Sequence, residues 1–343
     1  MVSDFDDATA VRFLIYGRLV SEAICTFADL GCPELIGDSG CTAGALSEQT
    51  GTVPDRLDDL LRLLAAFGLV RTVDDGTVRL TERGEYLRAD RPGSALPTAL
   101  LVRGVVGHAW DGLESTLRTG APAFDSADGR SFFDEIDRNP SMRAIFDDSQ
   151  ARGLDLDLAA ITAVVRSRDC GRIVDIGGGD GYLVAELLTL LPRHTGVVID
   201  RPVAVGRARA RMSAAGLSGR CVCAVGDFTT ALDLEPRADD LMIMRHICHD
   251  WSDEVCVRIL SNCRSAMTTG ARLAVVEHYR GEQPPVSDDD RMAAIMGLYM
   301  ATVTSGRERT IAEYEKLHAT AGLAVIAVTR FGGSCLIESV AAG

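Results

Sequence analysis

The residues best equipped for chemistry lie in Arg245-His246-Ile247-Cys248-His249-Asp250-Trp251-Ser252-Asp253-Glu254, directly after the apolar stretch Asp240-Leu241-Met242-Ile243-Met244. A histidine placed there is a candidate general base, because its ordinary pKa lies near physiological pH. Glu277 closes the next apolar stretch, Arg272-Leu273-Ala274-Val275-Val276. If the two stretches are neighbouring strands, that carboxylate orients the His249 ring, fixes its tautomer and supports the charged form. Three other readings stay open on these residues alone. His246, His249 and Glu277 could hold a metal, although the H-E-x-x-H pattern is absent. His249 could be a helix-capping or structural residue, or His246 could itself be the base, although it is read as structural.

A second constellation precedes it. Ile173-Val174-Asp175-Ile176 runs into Gly177-Gly178-Gly179-Asp180-Gly181 and then into Tyr182-Leu183-Val184-Ala185-Glu186-Leu187-Leu188. An apolar β-branched run, a glycine cluster and a helical pattern predict a buried strand, a tight turn and a helix. Glycines there let the backbone approach a ligand, and the helix start offers free N–H groups and a positive dipole end. Asp200 ends the following apolar run, Gly196-Val197-Val198-Ile199, at the distance used for binding a ribose. The turn matches neither the dinucleotide GxGxxG fingerprint nor the GxxxxGK[ST] phosphate loop.

These residues need a frame that brings them together. From residue 172 onward, strand patterns alternate with helical ones: strands at 172–176, 196–200, 221–225, 240–244, 272–277, 324–328 and 334–338, with helices at 182–188, 207–215, 254–267 and 311–321 between them. That alternation predicts an α/β, Rossmann-like, doubly wound, mostly parallel sheet with an antiparallel edge. Asp200, Asp227, Arg245, His249 and Glu277 all fall at carboxyl ends of strands, where such sheets bind ligands.

Upstream, helical patterns over 8–31, 42–50 and 55–67 precede two β-rich runs around Asp74-Asp75-Gly76, an α-helical winged-helix arrangement. Its second helix and wing tip are acidic, and the chain carries a net charge of -14. That balance weighs against nucleic acid and against an anionic membrane surface. A protein-interaction module, most simply a homodimer, is the better reading. Helical patterns over 96–117, 131–139 and 142–161 form a connector placed to wall a pocket. The division expected is 1–100, 101–165 and 166–343. Ten cysteines without a C-x-x-C pair, an acidic start and no run of eighteen apolar residues point to a cytoplasmic enzyme with reduced thiols.

The order and spacing of Asp-Ile-Gly-Gly-Gly-Asp-Gly at 175–181, Gly226-Asp227-Phe228, Ile247 to Glu254, Val276-Glu277 and Gly306-Arg307-Glu308-Arg309-Thr310 resemble the S-adenosylmethionine (SAM)-dependent O-methyltransferases. The similarity is to the plant caffeic acid/flavonoid type and its bacterial natural-product relatives, and it spans nearly the whole chain. The resemblance implies SAM as cofactor, no metal, a winged-helix dimerisation domain and a small aromatic, polyketide or amino-acid-derived substrate. It also implies that His249 takes the hydroxyl proton, with Glu277 and Glu308 flanking it. Gly177 and Gly179 would lie against SAM and Asp200 on its ribose, Asp227 and Phe228 by the adenine, and Arg245 on the cofactor side.

Asp250 would face the substrate. Gln150 stands where the family often has methionine, and Gly297-Leu298-Tyr299-Met300 replaces its usual Asp-Leu-Asn-Met, so Gln150, Tyr299 and Met300 are expected to shape this pocket. Met292, Met296 and Met300 read equally well as pocket thioethers or as helix core, and 281–290 as a solvated loop. Ring C-methylation, or a member diverted to hydroxylation or pericyclic chemistry, is the alternative activity.

Overall fold

The computed structural model describes residues 6–124, 129–168, 170–281 and 287–343, and within these the side chains of residues 155 and 156 are not described. The chain forms two compact units, Met1–His108 with Ala144–Gly153, and Ala109–Arg143 with Leu154–Gly343.

In the first unit, α1 (Asp7–Asp29) begins where the Asp6 carboxylate accepts the Thr9 N–H, and α2 (Cys32–Ile36) follows a left-handed Gly31. Next come β1 (Cys41–Thr42), α3 (Ala43–Thr50), α4 (Pro54–Ala66), β2 (Val70–Thr72) and β3 (Thr77–Leu80). The expected hairpin gains β1 as a third strand, in the order β1-β3-β2. Phe27, Ile36, Leu46, Leu57, Leu64 and Val78 make a closed core. The outer face of α1 is different: Val11, Leu14, Ile15 and Leu19 are 56–68% exposed.

The helical run expected over 96–117 is broken into α5 (Leu96–Leu101), a π-type segment (Val102–Val106), α6 (Gly107–Asp111) and α7 (Leu113–Thr119). Gly104, at φ -86° and ψ -125°, interrupts the helical backbone. Apolar periodicity alone does not register such a break. α8 (Phe132–Arg138) and α9 (Pro140–Arg166) follow, each capped by a side chain, Ser131 and Asn139.

The second unit holds a seven-stranded sheet of described residues: β4 (Arg172–Ile176), β5 (Thr195–Asp200), β6 (Cys221–Val225), β7 (Asp240–Arg245), β8 (Arg272–His278), β9 (Leu323–Phe331) and β10 (Ser334–Ala341). Their order is β6-β5-β4-β7-β8-β10-β9. β4 to β8 are parallel, and β10 runs antiparallel to β8 and β9. The chain winds outward from β4 in both directions, so the crevice lies at the carboxyl ends of β4 and β7.

Alternate residues of each strand face opposite layers. Val174, Ile176, Met242 and Met244 pack with α12 (Asp253–Ser265) and α14 (Ile311–Thr320), whereas Ile173, Leu241, Ile243 and Val276 pack with the end of α9 and with α10 (Tyr182–Leu190). On the same side as α10, α11 (Pro202–Ala214) seals Val198.

The stretch 281–290 is not a loop throughout. α13 (Asp288–Val303) begins inside it, because the Ser287 side chain and the Asp290 carboxylate form a capping box and three aspartates occupy the first turn. Acidic residues at a helix start are stabilised by the helix dipole. Pro284 and Pro285 lie outside the described residues.

Candidate active site

Asp200, Asp227, Arg245, His249 and Glu277 lie at or just beyond the carboxyl ends of strands, and Glu308 comes from the segment before α14. After β4 the chain turns through Gly177 (φ 73°), Gly179 (φ 58°) and Gly181 (φ 77°), conformations that glycine adopts without strain. A Cβ on Gly177 would overlap Ile247 Cδ1 and lie 3.4 Å from Phe228 Cε1, whereas one on Gly179 would meet nothing within 4 Å. The first glycine is thus required by packing, and the second borders open space at the crevice.

The Gly179 N–H donates to Asp200 Oδ2 at 2.7 Å, and the Arg201 N–H donates to Asp200 Oδ1 at 2.6 Å. Burial pushes the Asp200 carboxyl up, and these amides pull against it. Asp175, in β4 beneath the turn, is also buried and has an Oδ2 with no hydrogen-bond partner. Burial, with Asp200 next, raises its pKa to about 7.

Asp227 is exposed at the end of the turn after β6, where its carboxylate accepts from the Thr229 N–H and hydroxyl. Phe228 packs against the core beside the glycine turn, its carbonyl held by the Asn262 side chain at 2.9 Å. Arg245, at the end of β7, donates to Asp157 Oδ2 through Nε at 3.2 Å and NH2 at 3.0 Å. Asp157 lies 88 residues away, on α9, and no local signal pairs the two.

The acid–base cluster is denser. His249 is buried, and its Nδ1 lies 3.0 Å from Glu308 Oε1 and 3.8 Å from Glu277 Oε2. Its Nε2 lies 3.8 Å from Asp250 Oδ1. With two carboxylates on the Nδ1 side, the proton belongs on Nδ1 and Nε2 is the end left for exchange. Burial pushes the imidazole pKa down, but Glu277, Asp250 and Glu308 together outweigh it and carry it up to about 10. Burial likewise raises Glu277 to about 7 and Asp250 to about 6.

His246 lies against both His249 and His278, with ring centroids 5.3 Å and 4.6 Å away and the rings tilted. Burial, reinforced by the charge of Arg245, holds His246 well below its usual range.

Arg309, to which the motif at 306–310 assigns no role of its own, braces the turn. Completely buried, it donates to the carbonyls of Cys248 and Trp251, each at 2.7 Å, and to Asp253 Oδ1 at 2.8 Å through Nε. Gly306 lies against the same turn, where a Cβ would overlap the His249 carbonyl oxygen. The only sequence signal was two arginines flanking Glu308.

Of the residues expected around a substrate, Asp250 borders His249, and Tyr299 is half-buried on α13. Burial and the Asp250 charge push the Tyr299 phenol up. Met300 is buried, and Gln150 belongs to the first compact unit.

These residues fit SAM. The turn offers glycine backbone facing open space, Asp200 supplies a buried acceptor for hydroxyls, and the Asp175 oxygen is an unpartnered acceptor beneath the turn.

Residues 110–324 match the O-methyltransferase domain, and residues 13–90 match the O-methyltransferase dimerisation domain. The chain is 36% identical to the O-methyltransferase SfmM3 of Streptomyces lavendulae over 93% of its own length and 95% of that protein's. It is 33% identical to the O-demethylpuromycin-O-methyltransferase of Streptomyces alboniger, over 93% and 85%. Among solved structures it superposes with a TM-score of 0.79, at 31% identity and 94% and 95% coverage, on the O-methyltransferase NcsB1 from neocarzinostatin biosynthesis in complex with SAM and 2-hydroxy-5-methyl naphthoic acid. Two family matches in series, relatives aligned almost end to end and a SAM-compatible crevice lead to one conclusion: the chain belongs to the O-methyltransferase family and is a SAM-dependent methyltransferase.

Proposed function

We propose that the chain works as a homodimer in the cytoplasm and methylates a phenolic or similarly acidic hydroxyl of a small aromatic specialised metabolite, with His249 as the base. The observation carrying this reading is the buried His249, whose Nδ1 is 3.0 Å from Glu308 and whose opposite nitrogen is left for an acceptor. SAM, when bound, supplies the methyl group from a sulfonium centre. Gly177, Gly179, Asp200, Asp227, Phe228 and Arg245 are the residues proposed to hold it. Asp250, Tyr299 and Met300 are proposed to shape the acceptor pocket. The division 1–100, 101–165 and 166–343 is kept as the functional one.

The chain's own part is positioning and moving one proton. A phenol has a pKa of about 10, and the carboxylates raise His249 to about 10. The carboxylates thus bring the basicity of Nε2 up toward that of the acceptor oxygen. Phenolate with imidazolium carries the same protons as phenol with imidazole, so the oxygen reaches its nucleophilic form at little cost. Glu308 and Glu277 hold the ring and balance its charge.

The test is incubation with SAM and a panel of hydroxyaromatic acids headed by 2-hydroxy-5-methyl naphthoic acid, with products read by mass spectrometry and NMR. An O–CH3 signal is expected; a new C–CH3 signal would overturn O-methylation. His249→Ala is expected to lower kcat by about 10²- to 10⁴-fold, and turnover of that variant at the wild-type rate would remove the base.

A further inference from the structure

Among the described residues, His246 is the single non-glycine with a left-handed backbone, at φ 54°. Side chains with a Cβ pay for that conformation; histidine tolerates it better than most, and β-branched residues worst. What the conformation achieves is visible in the next two amides. Ile247 returns to the right-handed region, at φ -112° and ψ -51°. A left-handed and a right-handed residue in succession turn consecutive N–H groups toward one point, a nest for an anion.

Here the anion is Glu277 Oε1, which accepts from the Ile247 N–H at 3.0 Å and from the Cys248 N–H at 2.6 Å. The His246 N–H donates to the Val276 carbonyl at 2.9 Å, which registers the nest against the residue preceding Glu277. Glu277 Oε2 makes no hydrogen bond and lies 3.8 Å from His249 Nδ1.

We infer that His246 is a positioning residue acting through its backbone: its left-handed turn builds the two-amide cradle that presents Glu277 to His249, and its imidazole carries no proton in the reaction. The ring supports this. Its Nε2 is buried without a hydrogen-bond partner, and it meets its histidine neighbours as tilted rings, at interplanar angles of 33° and 35°. The inference rests on the role proposed for His249, and the experiment separates the two.

The groups facing His249 are Glu277 from β8, Asp250 from its own turn, Glu308 from the segment before α14, and the rings of His246 and His278. Without its two amide donors Glu277 would protonate more readily and would no longer support a charged His249. The test is an NMR titration of His249 in ¹⁵N-histidine-labelled protein without ligand, comparing wild type with His246→Gly, His246→Asn and His246→Val.

Gly and Asn, which adopt the left-handed turn, are expected to leave the His249 midpoint within a few tenths of a pH unit of wild type. Val is expected to lower it by about one pH unit or more. Should Val be insoluble, Ala takes its place, with the same direction and a smaller shift. A drop in Gly or Asn as large as that in Val would overturn the inference, as would a wild-type midpoint in Val or its Ala replacement. His249→Ala turnover is measured separately, so loss of the base reading leaves the cradle result standing.

Discussion

The first compact unit leaves apolar residues outside, and the second buries charged ones. On α1, Leu14 and Ile15 are 68% and 67% exposed; around the turn after β7, Glu277 and Arg309 are completely buried and Glu308 is 2% exposed. Each arrangement costs free energy in an isolated fold. Exposed leucine gives up hydrophobic stabilisation, and a buried carboxylate gives up hydration. An exposed apolar stripe marks a surface meant for a partner, and a buried, mutually compensated charge cluster marks a place where protons are handled. The two departures separate the assembly function from the chemical one within a single chain, in keeping with a dimerisation domain matched at 13–90 and a methyl-transfer domain at 110–324.

The contrast is broken most severely by taking a charge out of the buried cluster. Arg309→Met takes the guanidinium donor from the Cys248 and Trp251 carbonyls and leaves them the weaker Cys256 thiol, with the Trp251 N–H also on Cys248. The expected loss is about 3–6 kcal/mol, from two charge-assisted hydrogen bonds at about 1.5–3 kcal/mol each, read as a lowered midpoint in chemical denaturation. Putting charge onto the apolar stripe comes next. Leu14→Glu with Ile15→Glu is expected to weaken dimerisation by about tenfold or more per residue while leaving the fold intact. Analytical ultracentrifugation across a dilution series, with circular dichroism as the fold control, checks this.

The smallest effect sharpens the electrostatic side. Glu308→Gln removes one of three carboxylates that hold His249 up. The folded-state pKa is raised above the ordinary 6.5, so in the free wild-type enzyme kcat/KM should climb as pH rises from neutrality toward about 10. In the variant that limb should move to lower pH, by about one unit. A pH profile of kcat/KM that keeps its wild-type midpoint would contradict the assignment of Glu308 as a charge partner.

Much of the catalytic unit was legible because its signals are local. The glycine turn, the acid ending β5 and the alternation of strand and helix each occupy a short window, and the Gly179–Asp200 hydrogen bond realises the spacing between turn and acid. His249 and Glu277 could be brought together because they end consecutive parallel strands, β7 and β8. What escaped is what only the folded chain decides. Asp157 meets Arg245 across 88 residues, the two-residue β1 is too short to carry a period, and the break at Gly104 lies inside an unbroken apolar rhythm. The start of α13 is a different case: Ser287 and three aspartates form a local signal, but acidity there fits a solvated loop as well as a helix cap.

The seating of Gly306 on the His249 carbonyl, together with the grip of Arg309 on the two carbonyls that bracket His249 and Asp250, has a consequence for motion. The turn at 247–253 and the segment at 306–310 share buried contacts that neither can satisfy alone, so they open together or not at all. His249 is therefore tied to the segment that leads into α14 and the strands after it. Whatever must loosen to admit an acceptor and release its methylated product has to be found elsewhere in the molecule.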